Sequence, residues 1–169
     1  MRRALNALYD GAAWLAALAM IGLLAMVLLS IVSRLANFHG PGTDAYAGYL
    51  MAAAGFLALA HTLKRGDHIR VTLLLGALEG SVRRGFEIWA LAASTLLAVL
   101  TAFYSGRLTW HSYVFNDVST GNDATALWIP QLSMAVGTVI LTVAFIDELV
   151  LELQGRRVVV TSDEMAHNE

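Results

Sequence analysis

Five histidines, an adjacent pair of carboxylates and a run of small residues at fixed spacing are the parts of this sequence from which chemistry could be built. A haem held between helices needs two axial ligands, commonly histidines, at similar depth. His61 and His68 close the second apolar block, whereas His39 and His111 belong to the opposite ends of the blocks and His167 to the tail. His39 and His111 share a side but stand in or beside connectors, so the pattern suits neither haem nor a metal centre. Cysteine is absent, which removes disulfides, thiolate zinc sites and thiol nucleophiles. Asp147 and Glu148 stand near the end of the last apolar block, with Arg156 and Arg157 close enough in sequence to offset them. Ionisable groups of a proton or ion pathway sit at mid-membrane; these mark where a span ends. With no nucleophile beside a base and no phosphate loop, neither an enzyme, a cofactor nor a nucleic-acid partner is expected. The small residues Ala90, Ser94, Ala98, Ala102 and Gly106 recur at every fourth position. Such a ridge lets a second helix approach closely, whether from the same fold or from another subunit.

The elements that must carry these residues follow from hydropathy. Of the 169 residues 57% are hydrophobic and 14% charged, where a soluble domain carries about a quarter charged residues. The mean hydropathy is +0.62. Four apolar blocks run over about 11–33, 45–63, 86–110 and 127–151. Each is long enough to cross a hydrocarbon core of about 30 Å as a helix. None has an ionisable residue near its middle, and none shows the period-two alternation of a barrel strand. The first block exceeds the 7–15 apolar residues of a signal peptide and is expected to stay as a span. Pro41 falls in a connector and Pro130 in the first turn of the last block, so no span is broken. The fold class is an all-α integral membrane protein with four transmembrane helices. One amphipathic interfacial helix is expected over about 68–84, between the second and third spans. There Val71, Leu74, Leu75, Leu78 and Val82 recur at helical spacing, flanked by Lys64, Arg65, Arg70, Arg83 and Arg84. That helix either packs on its own bundle or braces a partner.

Charge sets the orientation. Of eleven Lys and Arg, nine fall on one side: Arg2, Arg3, Lys64, Arg65, Arg70, Arg83, Arg84, Arg156 and Arg157. Arg34 and Arg107 fall on the other, each at a helix end. The positive-rich side is the cytoplasm, so both termini, including the acidic tail 158–169, are cytoplasmic. The connector from Trp110 to Ala126 has no basic residue, carries Asp117 and Asp123, and is edged by Trp110, Tyr113, Phe115 and Trp128. Aromatic anchors in polar surroundings suit a docking surface as well as they suit a solvated loop.

The order of helices, the run from Lys64 to Val71 and the opening of the fourth span from Ala126 to Gln131 resemble a known family. It is the small membrane subunit, of DctQ type, of tripartite ATP-independent periplasmic (TRAP) transporters. The resemblance extends from the first span to the end of the fourth. It rests on Gly66, His68, Ile69 and Val71 after the second span, on Arg34 ending the first, and on Trp128 and Pro130 opening the fourth. The chain departs from the pattern at Thr43-Asp44-Ala45, where paired glutamates are frequent, and at Leu35, where an aromatic is frequent. The resemblance implies a lipid-embedded scaffold in the bacterial inner membrane. Its expected partners are a large multi-spanning subunit holding the sodium and substrate sites, and a periplasmic binding protein that delivers an organic acid or compatible solute. Two other readings are a membrane anchor of a respiratory oxidoreductase and a self-contained homo-oligomeric small transporter. The histidine placement argues against the first, and the lack of mid-membrane polar groups against the second.

The orientation has a direct test. A cysteine introduced as Ser119→Cys is expected to react with a membrane-impermeant thiol reagent in intact cells, and one at Ser162→Cys only after lysis; reversed labelling would invert the topology.

Overall fold

A computed structural model describes residues 2–38, 42–65, 80–121 and 123–155. They form four helices, α1 (Arg2–Leu35), α2 (Thr43–Arg65), α3 (Gly80–Val114) and α4 (Trp128–Leu153). All four are long and apolar enough to cross a membrane. Each encloses or nearly matches an expected span, and α3 runs four residues past Trp110 into the segment expected as a loop. The interfacial helix expected over 68–84 lies mostly outside the described residues, with Val71, Leu74, Leu75 and Leu78. Its last turn belongs to α3, which begins at Gly80, and Val82 is exposed there. The Gly66, His68, Ile69 and Val71 motif and the tail also lie outside.

Local chemistry ends the helices where the chain must turn. Asn37 and Asn116 both take positive φ, 51° and 54°, a region asparagine enters more readily than most residues. In each case the next N–H reaches five residues back, Phe38 to the Ser33 carbonyl at 2.8 Å and Asp117 to the Ser112 carbonyl at 3.0 Å. This capping satisfies carbonyls that the last turn would otherwise leave open. Pro130 sits in the first turn of α4, where a missing N–H is tolerated.

The helices stand side by side in the order α1, α2, α4, α3 and do not close into a bundle. Helix α2 runs antiparallel to α1 and parallel to α4, while α3 runs antiparallel to α4. Helix α1 touches α4 only weakly, and Tyr9 and Ala12 share a buried cluster with Ala60, Leu63, Ile140 and Ala144. Burial follows position in the row: the most apolar stretches of α1 and α3 are each 11% buried, those of α2 and α4 22% and 28%. The outer helices are also the longer pair, 34 and 35 residues or about 50 Å, against 23 and 26 residues for the inner pair.

Small residues make the seams. On α1 the line facing inward is Tyr9, Ala12, Ala16, Ala19, Leu23, Met26, Ser30 and Ser33; on α3 it is Leu91, Thr95, Ala98, Ala102, Ser105, Thr109 and Ser112. Both lines advance by alternating steps of three and four, the 3.5-residue repeat of helices that pack along their length. On the α3 line the threonine hydroxyls are satisfied within the helix: Thr95 donates to the Leu91 carbonyl and Thr109 to that of Ser105. The tightest approach joins the inner pair. A Cβ on Gly137 would lie 2.6 Å from the Phe56 carbonyl oxygen and 2.9 Å from the Phe56 Cβ.

Gly137→Ala is therefore expected to push α4 off α2 and destabilise the fold by about 1–3 kcal/mol. Gly106→Ala meets nothing within 4 Å and gains up to about 1 kcal/mol of helix propensity. Unfolding in detergent measures both, and equal effects would remove the special status of the α2–α4 crossing.

Candidate functional site

Polar side chains gather at the two ends of α2, one set at each membrane boundary. At the end carrying most of the basic residues, Lys64 donates from Nζ to Asp147 Oδ2 and, at 3.1 Å, to Glu148 Oε1. The three side chains are only 20%, 24% and 11% exposed. One cation is thus shared by two adjacent carboxylates of α4, and its Nζ stands 5.5 Å from the centroid of the Tyr9 ring on α1. Beside it His61 Nδ1 lies 3.5 Å from Asp10 Oδ1. Arg84 extends the row to α3 by donating to the Leu153 carbonyl at 3.4 Å. Tyr9 is 2% exposed, and its hydroxyl has no hydrogen-bond partner among the described residues.

At the other end, the first turn of α2 carries Asp44, which accepts from Arg34 Nη2 at 3.1 Å and from Ser30 Oγ at 2.9 Å. Arg34 and Asp44 are each 74% exposed, a surface pair worth about 1 kcal/mol at most. One and two turns along from the start of α2, Tyr46 and Tyr49 reach the connector between α3 and α4. Tyr49 donates to Asp123 Oδ2 at 3.0 Å, Ser119 donates to Asp123 Oδ1 at 2.9 Å, and Thr125 donates to the Tyr46 hydroxyl at 3.2 Å. The connector pairs with itself through a bridge between Val118 and Ala126. Trp128 packs edge-on against Tyr113, joining the start of α4 to the end of α3.

Hydrogen bonds set the charge of Asp123. The Thr125 side chain above all, then those of Ser119 and Tyr49, hold its carboxyl down at about 2, while desolvation opposes them. A depressed carboxylate stabilises the fold above its ordinary value, here 3.8, and that stabilisation is lost as pH falls toward about 2. The connector keeps this clip at every physiological pH.

The residues singled out in sequence are distributed unevenly over these features. Asp123 is engaged and Asp117 is exposed, so the two acidic residues of the connector differ in kind. Of the ridge on α3, Ala98 is buried on the side of α4, Ser94 and Ala102 are half-buried, and Ala90 and Gly106 are exposed. A fixed step of four turns about 40° further round a helix each time, so the ridge crosses the packing seam and leaves it at both ends. Asp147 and Glu148 take their cation from Lys64; Arg156 and Arg157 lie outside the described residues, as do His39, His68 and His167. His61 faces Asp10, and His111 stacks on Phe115 with centroids 4.4 Å apart. Arg34 lines an open polar cavity of about 350 Å³ with Ser30, Asn37 and Asp44. The Lys64 cluster is within reach of sequence reasoning, since topology already puts one cation and two carboxylates at the same depth. The Tyr49 partner of Asp123 carries no such signal.

Comparison with known families gives one match. The family described as tripartite ATP-independent periplasmic transporters, DctQ component, matches residues 23–155, from the middle of α1 to the residue after the α4 C-cap. That is more than three quarters of the chain. No curated protein compared with it matches.

The Lys64 cluster yields a signed prediction. Lys64→Met leaves two carboxylates side by side without a cation and is expected to destabilise the fold, by at most about 3–5 kcal/mol. Adding Asp147→Asn and Glu148→Gln is expected to restore much of the loss. Tyr9→Phe, which removes only an unpartnered hydroxyl, is expected to be neutral or stabilising. Thermal unfolding of the purified chain reads all three, and a Lys64→Met protein as stable as the parent would show the cluster to be incidental.

Proposed function

The chain belongs to the DctQ component family of tripartite ATP-independent periplasmic transporters, and from that membership we propose that it is the scaffold subunit of a secondary transporter. The family is one of transporter components rather than enzymes, its members work with a DctM and a DctP component, and the four apolar helices make the chain a multi-pass membrane protein. In this reading it lies in the bacterial inner membrane with both termini cytoplasmic, following the nine-to-two distribution of basic residues. It braces a large ion-coupled subunit that carries the sodium and substrate sites. A periplasmic protein brings an organic acid or compatible solute to the outer face, where Asp117 is exposed.

The observation that carries the scaffold reading is the open row. Four helices standing side by side expose Leu18, Leu24, Leu97 and Phe103 among many large apolar side chains, enlarging the footprint in lipid and leaving broad faces for a partner helix. The exposed ends of the α3 ridge, Ala90 and Gly106, stand about 160° apart round the helix, on either side of its seam with α4, and Gly106 belongs to such a face. A scaffold also needs no ionic centre of its own, and the charged contacts found here lie at the helix ends.

The test is co-expression with a large DctM-type subunit. The chain is expected to co-purify with that subunit, and uptake is expected to require both together with the binding protein. Gly106→Leu is expected to lower co-purification about tenfold while leaving insertion unchanged, as overpacking at a close crossing does. Uptake by the purified chain alone would favour a self-contained transporter, and a Soret band an electron-transfer anchor; either would overturn the assignment.

A further inference from the structure

We propose that Asp123 is a positioning residue: it locks the connector between α3 and α4 onto the start of α2 and so fixes where Asp117 stands on the outer face. The inference rests on the docking reading above and deepens it by dividing the two acidic residues into one contact and one lock.

Three features of the connector support the division. Asp123 uses both carboxylate oxygens inside the protein, one toward Tyr49 of α2 at 3.0 Å and one toward Ser119 at 2.9 Å. These two bonds fix the side chain's position, and an incoming protein would find only the lone pairs they leave. The surroundings are fitted to it: a Cβ on Gly42, which takes a φ of +81°, would lie 2.8 Å from the Asp123 Cβ, and one on Gly121 would lie 2.7 Å from its Oδ1. The turn before α2 and the connector are therefore built around this one side chain.

Asp117 has the opposite character. Its backbone is tied down, the N–H to the Ser112 carbonyl at 3.0 Å and the carbonyl to the Leu127 N–H at 2.9 Å, yet the residue is exposed. The segment between these anchors folds back on itself through the Ser119 N–H, which donates to the Thr125 carbonyl at 2.8 Å, and Thr125 in turn donates to Tyr46. Releasing Asp123 removes the Tyr49 tie and leaves the longer Thr125–Tyr46 bond, at 3.2 Å, to hold the connector to α2. On this proposal the loosened connector no longer holds Asp117 in a single outward stance. A contact held in one place avoids the ordering cost that a mobile loop meets on binding.

The experiment uses the assembled transporter in proteoliposomes, with binding protein titrated and a probe thiol introduced as Thr120→Cys at an exposed position of the connector. Asp123→Ala is expected to speed maleimide labelling of the probe several-fold and to raise the binding-protein concentration for half-maximal uptake about tenfold, with maximal uptake unchanged. Asp123→Asn, which keeps an acceptor oxygen, is expected to fall between Asp123→Ala and the parent on both readouts. Asp117→Asn is expected to raise the half-maximal concentration without altering labelling. The double variant Asp117→Asn with Asp123→Ala is expected to be no worse than Asp123→Ala alone, because the lock acts through the contact. Additive losses would make Asp123 a second contact and overturn the proposal, as would unchanged labelling in Asp123→Ala. If labelling accelerates while neither Asp117→Asn nor Asp123→Ala changes the half-maximal concentration, the docking reading itself fails and the proposal falls with it.

Discussion

Inside hydrocarbon, water supplies no drive for one apolar helix to pack on another, so this row depends on how closely backbones can approach. The governing contact is Gly137 against the Phe56 carbonyl, which joins the two inner helices and through them the outer pair. Dispersion falls steeply with separation, so a crossing opened by even one methyl group would weaken the middle of the row first. The seams on α1 and α3 obey the same rule, with alanine and serine where a soluble core would place leucine. Large apolar side chains point the other way, outward, because lipid receives them as well as protein would.

Close packing alone does not fix which neighbour a helix takes, since small residues are common along all four. Polar clips at the two ends of α2 supply that specificity. At one boundary Lys64 takes its carboxylate partners among the described residues from α4, while His61 faces α1. At the other, Asp44 is held by α1 and the paired tyrosines by the connector to α4. An α2 helix rotated away from either neighbour would strand charges or hydroxyls at the edge of a low-dielectric medium, where an unpaired group is costly. Each clip therefore selects an arrangement that the apolar middle leaves nearly degenerate.

The same division separates what is legible in the amino-acid sequence from what is not. The four spans and their expected orientation are plain there, because length, apolarity and basic asymmetry are properties of the chain itself. Lateral order is not, because Leu15 and Ala16, or Gly106 and Gly137, look alike to hydropathy and differ only in what stands opposite. A ridge traced along α3 at a constant step of four passes through Ala98 and Ala102, which do lie on the packing side, but a helix turns away from such a line. Asp117 and Asp123 are equivalent as sequence; what separates them is Tyr49, 74 residues from Asp123 in the chain.

The parallel run of α2 and α4 has an electrical side. Aligned peptide dipoles leave about half a positive charge at a helix N-terminus and half a negative charge at its C-terminus. Two neighbouring parallel helices therefore present about one full charge of each sign, and these like ends repel unless something offsets them. The chain places Asp44 in the first turn of α2, with Asp123 held against the next turns by Tyr49, and Lys64 in its last turn beside the closing turns of α4. Lys64 thus stands where the carboxylates of α4 and the negative ends of both inner helices converge, and the anionic groups at the far rim lie against the joint positive pole of the inner pair.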